Sequence, residues 1–307
     1  MNTNRPNNLK PLFVQRPVQD RSRQAFTLTE LLVVVATLGI LAVLLLPALA
    51  SSTQPGSAKA YQCLNNMRQM VVAWTLYSED NHDWVVNNFG IAETQSEISG
   101  RTYRNWVNDI MSWSISPPND QMTNLDGITK APFNAYLSGK VAYYKCPADN
   151  YLSPIQVFAG YTSRPRSYSM NAFFGAYNPT YTSTGNSFFP SFRQFLKMSA
   201  VPNPANIYVM LEEHPDSIND GYFLNNANPN IATWPSQNWN DLPGSNHTGA
   251  SGFSFADGHS EIHKWNSYKC TILAVKMQAD PLYPFSTDKA NAYADAQWLA
   301  LRSSVPR

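Results

Sequence analysis

The sequence predicts an α+β chain: a long hydrophobic helix near the N-terminus continuing into an amphipathic helix, packed on a mainly antiparallel sheet. Three observations predict it. An almost unbroken apolar stretch covers residues 31–50. A stripe of apolar residues then recurs at helical spacing from Ala60 to Tyr77. Beyond residue 85, short β-branched and aromatic runs alternate with Asn, Pro and Gly clusters, without βαβ alternation or an internal repeat. With 307 residues, 43% hydrophobic and 14% charged, the chain can bury a sizeable core.

The elements follow in order. Before Phe26, Arg5, Lys10, Arg16, Arg21 and Arg23 stand against the single acid Asp20. Residues 1–25 therefore read as a basic end that stays cytoplasmic under the positive-inside rule. Residues 31–50 give about 30 Å of helix, enough for one bilayer crossing. The expected boundaries are a basic segment 1–25, a membrane helix 26–50, and an amphipathic helix plus extracytoplasmic head 51–307. Ordinary signal-peptide cleavage near residues 48–50, ahead of "SSTQPGS", is the alternative. After Pro55 and Gly56, the residues Ala60, Cys63, Leu64, Met67, Met70, Val71, Trp74 and Tyr77 form one face of a second helix, which reads as core packing against a sheet. "KVAYYKCP", "RSYSMN", "ANIYVMLEE" and "GFSFADGHSEIHKW" read as strands, the last as a hairpin turning at Asp257 and Gly258. The rest of residues 151–190 reads as long loops around "RSYSMN".

One residue in the apolar segment is awkward. Glu30 sits at its edge in "RQAFTLTELLVVV", where a carboxylate costs about 2.5–3.5 kcal/mol and needs a partner or a purpose. Small Ala25, then Phe26, then "TLTE" and an apolar helix resembles the type IV prepilin signal, with Ala25 standing where that family usually has glycine. "CLNNMRQM", "YKCPADN", "SYSMN" and "FADGHSEIHKW", with His247 followed after nine residues by Asp257 and Gly258, extend the resemblance to large pilin-like proteins of the type II secretion G-like kind. The resemblance implies cleavage between Ala25 and Phe26 by a prepilin peptidase and methylation of the new amine. It makes Glu30 the fifth residue of the mature chain, paired with the amine of a neighbouring Phe26. Pro47 would permit local bending of the assembly helix. A structural filament subunit follows, of a type IV pilus or a secretion pseudopilus. Its implied partners are identical or related pilin-like subunits, an inner-membrane secretion platform and the membrane, with the head outside the cytoplasm.

Other classes have less support. A net charge of +1 gives no sign of nucleic-acid binding. No helical zinc-protease motif, phosphate loop or nucleophile elbow occurs, so no enzyme is expected, a metal-dependent one at the clustered histidines and carboxylates being the lesser alternative. Trp84, Trp106, Trp113, Trp234 and Trp239 leave open an anchored module that binds a polysaccharide or another polymer.

Two site expectations complete the reading. In a head outside the cytoplasm, Cys63 on the packed helix face and Cys146 at an expected strand end are the candidate disulfide, with Cys270 left over. Three reduced, buried thiols are the alternative. Four histidines, His214, His247, His259 and His263, lie among Glu212, Glu213, Asp216, Asp220 and Asp257. Pairing of neighbouring strands would gather Glu213, His214, Asp216, His247 and Asp257 into one polar cluster. Hydrogen bonds or a structural divalent cation would compensate its charge, and no other cofactor is expected.

Overall fold

The computed structural model describes residues 27–38, 55–115, 124–278 and 284–307. The chain divides into two units, residues 1–52 and 53–307. In the first, helix α1 covers residues 28–38, and its leucines and valines are all exposed. Its N-terminus is closed by a capping box. The Thr27 hydroxyl accepts the Glu30 N–H at 3.3 Å, while Glu30 Oε2 accepts the Thr27 N–H at 2.8 Å. No helix among the described residues is long and apolar enough to cross a membrane. Most of the expected 26–50 span lies outside them, as do Ala25, Phe26 and Pro47.

The second unit begins with helix α2, Pro55–Asp80. Cys63, Met67, Met70, Val71 and Trp74 are fully buried along it, as the three-and-four spacing requires. Burial of each large side chain contributes about 1.5–3 kcal/mol. The helix is followed by two residues with left-handed backbone, His82 and Asp83, and the Asp83 N–H turns back to the Ser78 carbonyl at 2.9 Å.

Short helices α3 (Ile91–Gly100), α4 (Asp126–Thr129) and α5 (Pro154–Phe158) lie in the connecting region. The strands are β1 (Tyr168–Asn171), β2 (Tyr208–Glu212), β3 (Tyr222–Phe223), β4 (Ala250–Phe255) and β5 (Ser260–Lys264). They form one five-stranded sheet in the order β3-β1-β2-β4-β5. The β1–β3 pair is parallel and the other three pairs are antiparallel, so the sheet is mixed but mainly antiparallel. The β4–β5 hairpin turns at Asp257 and Gly258, where Gly258 has a φ of +94°.

Helix α2 packs on β2, β4 and β5. Strands β1, β2 and β4 are buried throughout, and their side chains divide between two cores. Met170 and Met210 join the core of α2, with Trp74 set edge-on to Phe174. Tyr208, Leu211, Phe253 and Phe255 join an aromatic core with the C-terminal helix α6, Lys289–Ala300. This double burial explains why these strands lack a clean polar and apolar alternation.

"KVAYYKCP" is a correction to the expected strands. Val141–Tyr144 is a short 3-10 helix followed by extended Lys145. The carbonyls of Ala142 and Lys145 accept from the Asn66 side chain of α2, at 3.4 and 2.8 Å. A helix side chain thus takes the place of a neighbouring strand.

Candidate functional site

Four residues from four parts of the chain converge between α2 and the sheet. Cys63 lies two turns into α2, Cys146 directly follows the segment that Asn66 ties down, Glu212 ends β2, and His247 lies in the turn leading to β4. One sulfur, carboxylate oxygen or ring nitrogen from each falls within 4.8 Å of all the others. His247 Nε2 is 3.1 Å from Glu212 Oε2 and 3.5 Å from Cys146 Sγ.

Local chemistry explains the convergence. Register pairs Glu212 with Tyr168 of β1, and the Tyr168 hydroxyl donates to Cys63 Sγ at 3.4 Å. On β4, Gly252 donates its N–H to Glu212 Oε2 at 2.7 Å. A Cβ on Gly252 would lie 2.8 Å from Met67 Sδ and 3.1 Å from Cys63 Sγ, so the helix approaches the strand only because a glycine is there. His247 is aimed by a tight turn in which Thr248 and Gly249 both have positive φ.

The electrostatics are those of buried groups held against one another. Burial pushes the Cys63 thiol well up, and the neighbouring Cys146 and Glu212 add to it. Burial also pushes the Glu212 carboxyl up, but His247, Cys146 and the Gly252 N–H outweigh it and hold the group below the usual carboxylate range. For His247, burial pulls the imidazole down, yet Cys146 and Glu212 raise it to about 10. Glu212 Oε1 is buried with no hydrogen-bond partner. Two sulfurs, one imidazole and one carboxylate form a donor set that suits a borderline-soft divalent cation.

The disulfide expected between Cys63 and Cys146 is not formed. Both are free, buried thiols, as is Cys270. The two sulfurs converge, but they share their space with Glu212 and His247. Cys270 lies elsewhere, in the aromatic core, with its thiol donating to the Pro284 carbonyl at 3.3 Å.

The expected polar cluster of five residues is distributed over several hydrogen-bond sets. Glu213 accepts from Ser169 and Ser217 at 2.5 and 2.7 Å, and burial pushes its carboxyl up to about 8. His214 Nδ1 accepts the Asp216 N–H at 3.2 Å, and Nε2 lies 3.1 Å from the Leu273 carbonyl. Asp216 accepts the Lys276 and Gln278 N–H groups at 2.6 and 3.2 Å. Asp257 pairs with His259 at 2.6 Å in the hairpin turn. His247 alone of the five joins the converged site, and its carboxylate partner is Glu212. Of the tryptophans weighed as stacking surfaces, Trp106, Trp234 and Trp239 are buried in the cores, while Trp84 is 45% exposed beneath Lys197.

Neither a family model nor a solved structure matches the chain. One curated protein does: the type II secretion system core protein G of Pseudomonas aeruginosa is 30% identical over 125 residues, which covers 40% of this chain and 87% of that protein. That protein is a pseudopilin. With this degree of identity over nearly the whole of the relative, the chain belongs to the family of type II secretion system core protein G.

Proposed function

We propose that the protein is a structural subunit of a pseudopilus of the type II secretion kind, or of a related type IV pilus-like filament. The observation that carries this reading is the identity with core protein G over 87% of that protein's length. The "AFTLTELL" stretch followed by an apolar run supports it from the chain's own residues. In this reading a prepilin peptidase removes residues 1–25 and methylates Phe26. The apolar helix holds the subunit in the inner membrane and then in the filament, and the head lies outside the cytoplasm. Its partners are like or related subunits and the inner-membrane platform of the secretion machinery. The contribution of the head is shape and rigidity, and it carries no catalytic role.

The test is assembly. Cysteine-free crosslinking in intact cells, followed by shearing and sedimentation, should recover the chain in ladders of like or related subunits. Recovery solely as an uncrosslinked membrane monomer would refute the reading.

A further inference from the structure

The converged site belongs to the head and does not depend on the filament reading. We propose that Cys63, Cys146, Glu212 and His247 together bind one Zn2+ ion, as a closed structural site that fastens α2 to the sheet. Four observations carry this. The first is the donor set: two sulfurs, an imidazole nitrogen and a carboxylate oxygen, one from each residue. Four N, O and S ligands are what a structural zinc site uses.

The second is spacing. A tetrahedral shell with Zn–S near 2.3 Å and Zn–N or Zn–O near 2.0–2.2 Å separates its ligand atoms by roughly 3.3–3.8 Å. The distances of 3.1 Å between His247 and Glu212 and 3.5 Å between His247 and Cys146 lie close to that shell. The 4.8 Å bound on all four ligand atoms leaves small side-chain adjustments to close it.

The third is the surrounding layer of donors. Zinc needs both cysteines as thiolates, a neutral His247 and an ionised Glu212. The two thiol protons and the proton that His247 carries beside Glu212 leave to solvent on binding, and the filled site carries a net charge of −1. Buried negative charge needs hydrogen-bond donors aimed at the ligands. The Tyr168 hydroxyl donates to Cys63 Sγ at 3.4 Å, the Ala148 N–H to Cys146 Sγ at 3.3 Å and the Gly252 N–H to Glu212 Oε2 at 2.7 Å. Every anionic ligand thus has a donor already in place.

The fourth is the orphaned Glu212 Oε1, buried and without a hydrogen-bond partner. A buried carboxylate oxygen left bare is costly. A cation at the centre of the four residues would compensate that carboxylate. With four protein ligands and no open position, the ion is structural. Calcium, which takes six to eight oxygens, does not suit a pair of sulfurs.

The experiment uses the full chain, isolated fresh under anaerobic, chelator-free conditions, with its metal content measured by elemental mass spectrometry. About one zinc per chain is expected. Cobalt loaded in its place should show the thiolate charge-transfer band and the intense ligand-field bands of a tetrahedral site. A strong chelator should lower Tm and expose Cys63 and Cys146 to alkylation together. Cys63→Ser and His247→Ala should each lose most of the zinc, whereas Cys270→Ser should keep it. If those ligand variants fail to fold, the cobalt spectrum and zinc content of the unaltered chain still decide. A disulfide-linked peptide joining Cys63 to Cys146 in the freshly isolated chain overturns the proposal. So does a metal-free chain whose Tm is unmoved by zinc or by chelator.

Discussion

At the scale of single residues, the most demanding position is Gly252. A methyl group there would meet Met67 Sδ at 2.8 Å, Cys63 Sγ at 3.1 Å and Glu212 Oε2 at 3.4 Å. Gly252→Ala should therefore cost about 1–3 kcal/mol through overpacking, read as a lower urea midpoint at unchanged slope. A shift below a few tenths of a kcal/mol would mean that α2 moves aside freely. Arg166 is the second such position. Its fully buried guanidinium binds Asp109 at 3.0 Å, the Tyr168 carbonyl at 2.7 Å and the Asp220 carbonyl at 2.7 Å. Arg166→Met leaves Asp109 buried and unpaired, which should destabilise the head by about 3–5 kcal/mol. Arg166→Met with Asp109→Leu should recover part of the loss, and a double variant no better than the single one would exclude the ion pair as the cause. Residue-level reading of the sequence stops at such pairs. "EE" at the end of an apolar run announces a buried carboxylate, but a one-residue register shift exchanges Glu212 for Glu213, because alternate residues face opposite sides of a sheet. The pairing of Tyr168 with Glu212 settles which carboxylate meets Cys63 and His247.

At the scale of elements, what was legible had a strong period. The α2 stripe from Cys63 to Trp74, the "IYVMLE" strand and the β4–β5 hairpin at Asp257 and Gly258 all follow from spacing or turn chemistry. "KVAYYKCP" was not legible. Its β-rich composition suits a strand, but its carbonyls found the Asn66 side chain instead, a tertiary contact that no local pattern announces. The junction of β5 with α6 makes a pH prediction. His263 of β5 stacks on Trp298 of α6 with ring centroids 3.5 Å apart, and the Arg302 guanidinium sits over the same tryptophan at 4.3 Å. Burial first, and the Arg302 charge second, lower the His263 imidazole from its usual 6.5 to about 4. Glu261, on the same strand, acts on Arg302. The folded head therefore binds fewer protons here than the unfolded chain. This contribution to stability is full above about 6.5 and is lost progressively as pH falls from there towards 4. Melting curves should show Tm falling across that window. His263→Phe, which keeps the stack and cannot be protonated, should flatten the fall; an unchanged slope would assign the pH dependence to other groups.

At the scale of the whole molecule, the question is how one polar residue at the edge of an apolar helix serves an assembly. In the chain itself Glu30 is exposed and caps α1, with Oε2 accepting from both the N–H and the hydroxyl of Thr27. Those bonds hold the carboxylate near the start of the helix, where an ammonium on the mature Phe26 of an adjacent subunit can reach it in the filament reading. The expected mature chain begins at Phe26 with a methylated amine, and mass spectrometry of the native N-terminal peptide checks it. A chain that starts at Met1, or is cut after Ala48 or Ala50, refutes prepilin processing. Glu30→Ala keeps the apolar run and should still insert in the membrane, but it leaves the neighbour's ammonium without a counter-charge in a low-dielectric packing. Removing one member of such a pair costs about 3–5 kcal/mol, and each 1.4 kcal/mol is a factor of ten, so recovery in sheared filaments should fall about a hundredfold or more. Glu30→Gln, which keeps the cap hydrogen bonds but not the charge, separates the two roles. Assembly as poor as that of the alanine variant assigns Glu30 to charge pairing between subunits, whereas assembly restored to normal assigns it to capping alone and ends the pairing role.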